Sequence, residues 1–200
     1  MEKESGEKES GGKDSDSARL EAAALDYLAR FAASTEQLRR VLLRKLRRWA
    51  LLNPPADPEA GTDPAKAAAM TDAVIAKLER AGLLDDAKFA ELKAGSLLRR
   101  GNSGRAIRFH LAQKGVAPAI VADTIAALQA ETPDLELTGA AALLRRRRLG
   151  CYRPTETREA YFRKDLASLA RAGFRESVAR RVLACADALE LEEILTERNA

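Results

Sequence analysis

The pattern that most restricts how this chain can fold recurs three times. Leu42-x3-Leu46, Leu111-x3-Gly115 and Leu169-x3-Gly173 occupy matching places, about 69 and about 58 residues apart. In each, leucines or their equivalents four residues apart share one face of a helix. Twice the run stops at a glycine, the residue suited to a left-handed helix end. A helical stretch precedes each pattern and another follows it. A three-helix unit of this size is marginal alone, so neighbouring units must stack to bury the rest of their apolar faces. The expected fold is all-α: an elongated tandem array of three three-helix repeats.

Composition supports helices over sheets. Leu, Ala, Arg and Glu dominate and all favour helix, while β-branched residues are few. At 46% hydrophobic the chain can bury a core, and at 4% aromatic that core is mostly aliphatic. Residues 1–17 hold no apolar residue besides Met1 and are expected to be a disordered tail. Repeat 1 is expected at 18–84 with a proline-rich loop at 53–64, repeat 2 at 85–130, and repeat 3 at 131–200 with an acidic C-terminal helix.

Local signals place the helix ends. Ser34 with Gln37 reads as a capping box. Gly82 ends one helix, and Asp85 starts the next with Leu84 stapled onto Phe89. Ser103 is a cap after the turn Gly101-Asn-Ser-Gly104, and Pro118 stands at a first helical position. A helix is expected through Ala140–Leu149, and one last helix carries Val178, Val182, Leu183 and Leu189.

The residues that carry chemistry are sparse. Cys151 and Cys185 fit no metal-ligand spacing, and His110 has no nearby partner for a nucleophilic triad. Asp85 and Asp86 are explained by helix capping. Cys185 should pack as a small apolar residue, whereas Cys151, in a turn, is expected to be an exposed thiol. No catalytic site, metal or cofactor is implied. The N-terminus lacks the apolar segment of a signal peptide and no run of about 18 apolar residues occurs, so a reduced cytoplasm is the expected setting.

Charge is where binding becomes legible. Residues 1–17 carry three lysines against six acids, so the remaining chain has 31 basic and 24 acidic residues. Three clusters concentrate the excess. The first, on one helix, groups Arg40, Arg44, Arg47 and Arg48 away from the leucine face. The second holds Arg99, Arg100, Arg105, Arg108 and Lys114 with no acid, and Phe109 faces outward beside two of these arginines, the composition of an interface hot spot. The third, Arg145–Arg148 and Arg153, also lacks acids; the run circles its helix, so about two of the four, Arg145 and Arg146 among them, are expected to reach a partner. Lys164 and Arg171 extend the candidate partner-binding set. Spaced basic clusters suit an extended acidic partner such as a nucleic acid or a nucleoprotein, although solvated helix faces have the same composition. Gly101–Gly104, flanked by arginines, reads either as a plain turn or as a phosphate nest.

The second repeat also carries a resemblance. Gly82-Leu-Leu-Asp-Asp-Ala-Lys-Phe-Ala90, Arg99-Arg-Gly101, Ile107-x3-Leu111 and Gln113-Lys-Gly-Val116 are similar in order and spacing to the RecX family. Ala24-Leu-Asp-Tyr-Leu-Ala-Arg30 and Leu38-Arg-Arg-x-Leu42 add to it in the first repeat, and Leu169-Ala-Arg-x-Gly-Phe174 in the third. The chain departs from the family in a longer loop at Asn53–Pro64, in Arg175 where a small polar cap is usual, and in Leu46-Arg-Arg where Lys-Gly is usual. The resemblance implies a regulator that binds RecA filaments and inhibits their ATP hydrolysis, strand exchange and SOS co-protease activity, thereby modulating recombination and repair. It implies a monomer that binds protein foremost, with weak nucleic-acid contact through its basic faces. A stand-alone basic helical DNA-binding protein is the alternative, with helix-turn-helix spacing near Gly101–Gly104.

Overall fold

A computed structural model of the chain describes residues 8–52, 63–132 and 134–196. Among the described residues there are ten α-helices and no strand. The chain divides into two compact units, Met1–Phe89 and Ala90–Ala200.

The first unit contains α1 (Lys8–Leu28), α2 (Thr35–Leu52), α3 (Pro64–Arg80) and the first turn of α4 (Asp86–Arg99). Helix α1 starts ten residues before the expected boundary at Ala18, so residues 8–17 are helical where a disordered tail was expected. Once the packed part of a helix exists, each added residue gains a hydrogen bond without a new nucleation cost, which lets polar residues extend it. Residues 1–7 of the expected tail and 53–62 of the proline-rich loop lie outside the described residues. The loop's last residues form the start of α3, with Asp63 accepting from the Ala65 N–H at 2.9 Å and Pro64 at the first helical positions.

Leu20, Leu38, Leu42, Val74, Ile75 and Leu78 meet in the core of this unit. The Ser34 hydroxyl accepts from the Gln37 N–H at 3.1 Å, as the capping box predicts. The reciprocal half is missing: the Gln37 amide instead donates to the Tyr27 hydroxyl at 3.0 Å. The missing Lys-Gly ending predicts that α2 extends to Trp49, and α2 goes further still. It runs to Leu52, since nothing in Leu46-Arg-Arg provides a left-handed end. Asp85 caps its own helix by accepting from Lys88 N–H at 2.9 Å. Asp86 accepts from the backbone N–H of Thr35 at 2.7 Å and so caps α2 instead.

The second unit continues through α5 (Gly104–Gln113), α6 (Pro118–Glu131), α7 (Leu135–Arg147), a 3-10 turn (Gly150–Tyr152), α8 (Thr155–Arg171), α9 (Glu176–Ala184) and α10 (Ala188–Thr196). Helix α7 begins five residues before the expected Ala140, with Asp134 as its cap on Leu137 N–H at 3.0 Å. The single last helix expected from the apolar pattern is two helices. Asp187 accepts from the N–H groups of Leu189 and Glu190, and Glu190 accepts from Ala186 N–H, so a cap interrupts the run at 185–187.

Repeats 2 and 3 interlock inside this unit. The Ser103 hydroxyl is fully buried, caps α5 through Ala106 N–H at 3.2 Å, and donates to the Ala172 carbonyl at 3.0 Å. Glu136, in the first turn of α7, accepts from Gly104 N–H at 2.9 Å. The Asp86–Thr35 bond is the same device one repeat earlier: an acid in the first turn of the next repeat caps the second helix of the one before. A carboxylate at a helix N-terminus gains from both the free N–H and the dipole.

The helix stops are more uniform than the sequence pattern. Five helices end with the N–H of residue i+5 on the carbonyl of residue i: Leu83 on Leu78, Asn102 on Leu97, Val116 on Leu111, Leu149 on Leu144 and Phe174 on Leu169. Four have glycine at the left-handed position. The fifth has Arg148, with φ 52°, the one non-glycine residue at positive φ among those described. At Gly101 glycine is needed for space as well, since a Cβ there would lie 2.5 Å from the Leu143 backbone nitrogen.

Candidate interaction surface

Side chains that could have carried chemistry are engaged in the fold. Among the described residues no group of three His, Cys, Asp or Glu could hold a metal. Cys185 is buried, as its apolar setting predicts. Cys151 is buried too, 7% exposed, and not the exposed thiol expected from its turn. The 3-10 turn that carries it folds inward onto the α7–α9 core. Burial pushes both thiols up from the ordinary cysteine value, which disfavours the reactive thiolate.

The phosphate-nest reading of Gly101–Gly104 fails on occupancy. Gly101, Ser103 and Gly104 are buried, and the Glu136 carboxylate already holds the Gly104 N–H.

The basic residues remain on the surface, with differing freedom. On α2, Arg40, Arg44, Arg47 and Arg48 are exposed. Arg40 pairs with Glu36 at 2.8 Å, and the Arg44 Nε donates to the Arg40 carbonyl at 3.3 Å. Arg99 and Arg100 close α4, both exposed. On α5, Arg105, Arg108 and Phe109 stand at i, i+3 and i+4, so they form one stripe opposite the fully buried Ile107 and Leu111. Phe109 is 60% exposed, with the His110 ring edge-on at 6.3 Å. Lys114 is the half-buried C-cap of α5.

The arginine run of α7 is divided by the fold. Arg145 lies 3.8 Å from Glu192 of α10, so the acidic C-terminal segment does approach one basic cluster. Arg146 is exposed, Arg147 donates to the Ser168 hydroxyl at 2.9 Å, and Arg148 forms the left-handed helix end. Lys164 and Arg171 are exposed on α8.

One ionic centre was not foreseen. Asp165, 1% exposed, takes a two-pronged ion pair from Arg153 at 2.7 and 2.8 Å and accepts from Gly150 N–H at 3.0 Å. The bonds to Asp165 raise the Arg153 guanidinium above its already high ordinary value. Arg153 therefore belongs in part to the fold, although the sequence shows it only as one more basic residue. The signal available was Asp165 itself, four residues before Leu169 and hence on the buried stripe of α8.

A family model described as "RecX, second three-helix domain" matches residues 85–125, the segment from the α4 cap through most of α6. A protein of Myxococcus xanthus named "Regulatory protein RecX" is 41% identical over 165 residues, covering 82% of this chain and 83% of that one. The chain belongs to the RecX family. RecX proteins of Halorhodospira halophila and Agrobacterium fabrum are each 30% identical, over 82% and 84% of this chain and 89% and 88% of their own lengths. Two solved RecX structures share the fold. One, titled "Crystal structure of regulatory protein RecX", has a TM-score of 0.56 at 22% identity, covering 90% of this chain and 77% of that one. The other, RecX from Lactobacillus salivarius, has a TM-score of 0.53 at 18% identity, covering 92% and 99%. The all-helical repeat architecture is thus that of RecX, and its named relatives are regulatory proteins. No helix among the described residues is long and apolar enough to cross a membrane.

Proposed function

We propose that this RecX-family chain binds the RecA nucleoprotein filament and inhibits it, lowering RecA-driven ATP hydrolysis, strand exchange and SOS co-protease activity and so modulating recombination and repair. The observation that carries the reading is the acid-free stretch Arg99–Lys114. It lies inside the segment matched by the family model and presents Arg105, Arg108 and Phe109 on one exposed stripe. Arginines beside an exposed aromatic suit an acidic protein face. Further basic residues on α2 and α8 add modest contacts elsewhere, and contacts of that kind sum through avidity on a repeating partner. The protein acts by occupancy as a monomer in the cytoplasm, with nucleic acid an accessory contact.

The experiment is DNA-dependent ATP hydrolysis by the cognate RecA titrated with this protein. Inhibition at substoichiometric ratios is expected. Unchanged hydrolysis at every ratio rules the proposal out. Salt-resistant, sequence-specific binding to duplex DNA in the absence of RecA would favour a stand-alone DNA-binding protein instead.

A further inference from the structure

We propose that the pocket between α8 and α9 seats one apolar side chain of an acidic protein segment, with Phe162 and Leu183 as its floor and Arg158 and Arg163 as the cations that meet the flanking carboxylates. The site lies on repeat 3, apart from the α5 stripe, and does not depend on the RecA reading.

The pocket is a cavity of about 480 Å³, open to solvent, within the second unit. Ligand sites commonly span about 300–1,000 Å³. Arg158, Phe162 and Arg163 come from α8, Leu183 from α9, and the backbone of Gly150 from the 3-10 turn. Phe162 is half-buried, yet it is not among the side chains packed into the α7–α9 core. A large aromatic outside the core buries more of its surface only when a partner covers it. Arg180 stands 5.9 Å from the centre of its ring and pairs with Glu176 at 2.7 Å, so it borders the floor without adding net charge.

The walls hold cations that the fold positions but does not neutralise. The half-buried Arg158 donates to the backbone carbonyls of Cys151 at 2.9 Å, Arg153 at 3.1 Å and Ala186. Carbonyls fix the guanidinium and leave its charge in place. Among the described residues no ion pair joins Arg158, or Arg163 at the exposed mouth, to a carboxylate. A cation held before binding loses little freedom when a carboxylate arrives. Of the two acids that line the pocket, Asp165 is neutralised by Arg153 and Glu159 is exposed. Asp187 and Glu190 approach from the Cys151 side, and both accept backbone N–H groups at the start of α10, where the helix dipole offsets their charge.

The same geometry disfavours a nucleobase. A base brings polar edges that need partners, and the polar groups of the floor are already engaged: Asp165 holds the Gly150 N–H, and Arg153 takes both Asp165 oxygens. An apolar anchor flanked by carboxylates needs no such partner. It pairs a desolvated centre with charges at the rim, the arrangement of protein interfaces.

The test is methyl NMR of the full chain, labelled at leucine and titrated with a synthetic peptide in which one phenylalanine is flanked on both sides by glutamates. The Leu183 methyl resonances are expected to shift and saturate. Phe162→Ala is expected to weaken the peptide about tenfold, and Arg163→Glu about fivefold or more. Glu159→Gln should tighten it. Circular dichroism checks folding, and Arg163→Glu, at an exposed position, carries the test if Phe162→Ala does not fold. Leu183 methyls that do not move overturn the proposal. So does an equal response to the same peptide with alanine in place of phenylalanine, because the apolar floor would then be unused. An equal response to oligo-dT overturns it too, since the walls would then be a phosphate site. A peptide response lost in Phe162→Ala supports the pocket whether or not the protein inhibits RecA.

Discussion

Gly101→Ala is expected to destabilise the chain by about 2–5 kcal/mol, whereas Gly82→Ala costs about 1–2 kcal/mol. Both glycines terminate a helix in the left-handed conformation, with φ 79° and 68°. Any L-residue pays the backbone term at either position. Only at Gly101 does the added methyl also meet a neighbour: its Cβ would lie 2.5 Å from the Leu143 nitrogen and 2.6 Å from its Cα, while nothing lies within 4 Å at Gly82. The atoms at Gly101 are backbone within α7, so relief requires moving the helix, and overpacking of that kind adds about 1–3 kcal/mol. Urea unfolding followed by helical circular dichroism measures both. Equal losses in the two variants would mean that α7 does not pack on the α4–α5 turn as described.

The second large effect is on binding. Charge reversal at both Arg105 and Arg108, to glutamate, is expected to raise the protein concentration needed for half-inhibition of RecA ATP hydrolysis by at least about tenfold. Both side chains are exposed on α5 and neither supports the core, so the helical spectrum and unfolding midpoint should stay near those of the parent. Each reversal removes an attraction and adds a repulsion, which is why like-charge placement discriminates more strongly than simple truncation. Inhibition unchanged by the double reversal, in a normally folded protein, would remove the α5 stripe from the interface.

What could be read from sequence was local. Ser34, Ser103 and Asp85 announce their caps within three residues, and Gly82, Gly115 and Gly173 announce their stops, because the groups they satisfy lie in the same turn. The left-handed end at Arg148 gave no such sign, since arginine rarely adopts that conformation. The break at 185–187 is hidden in the sequence because Leu183 and Leu189 continue an apolar pattern across it, and Asp187 looks like one more acid of an acidic C-terminal helix rather than a cap.

Longer-range features escaped for a different reason. The Glu136–Gly104 and Asp86–Thr35 bonds join residues 32 and 51 positions apart, so no window of helical periodicity contains both partners. Charge clusters could be counted in the sequence, but not which arginines the fold retains. Arg153 turns to Asp165 and is half-buried, whereas Arg147, although bonded to Ser168, stays exposed like Arg105 and Arg108.

The central claim, binding to RecA filaments, is tested most directly by co-sedimentation. RecA is assembled on single-stranded DNA with a non-hydrolysable ATP analogue, and this protein is added below RecA's concentration. The account predicts that the protein pellets with the filaments, saturates at a fixed ratio to RecA, and stays in the supernatant with RecA lacking DNA and nucleotide. A protein that stays in the supernatant at every ratio, or that pellets equally with DNA alone, would contradict it.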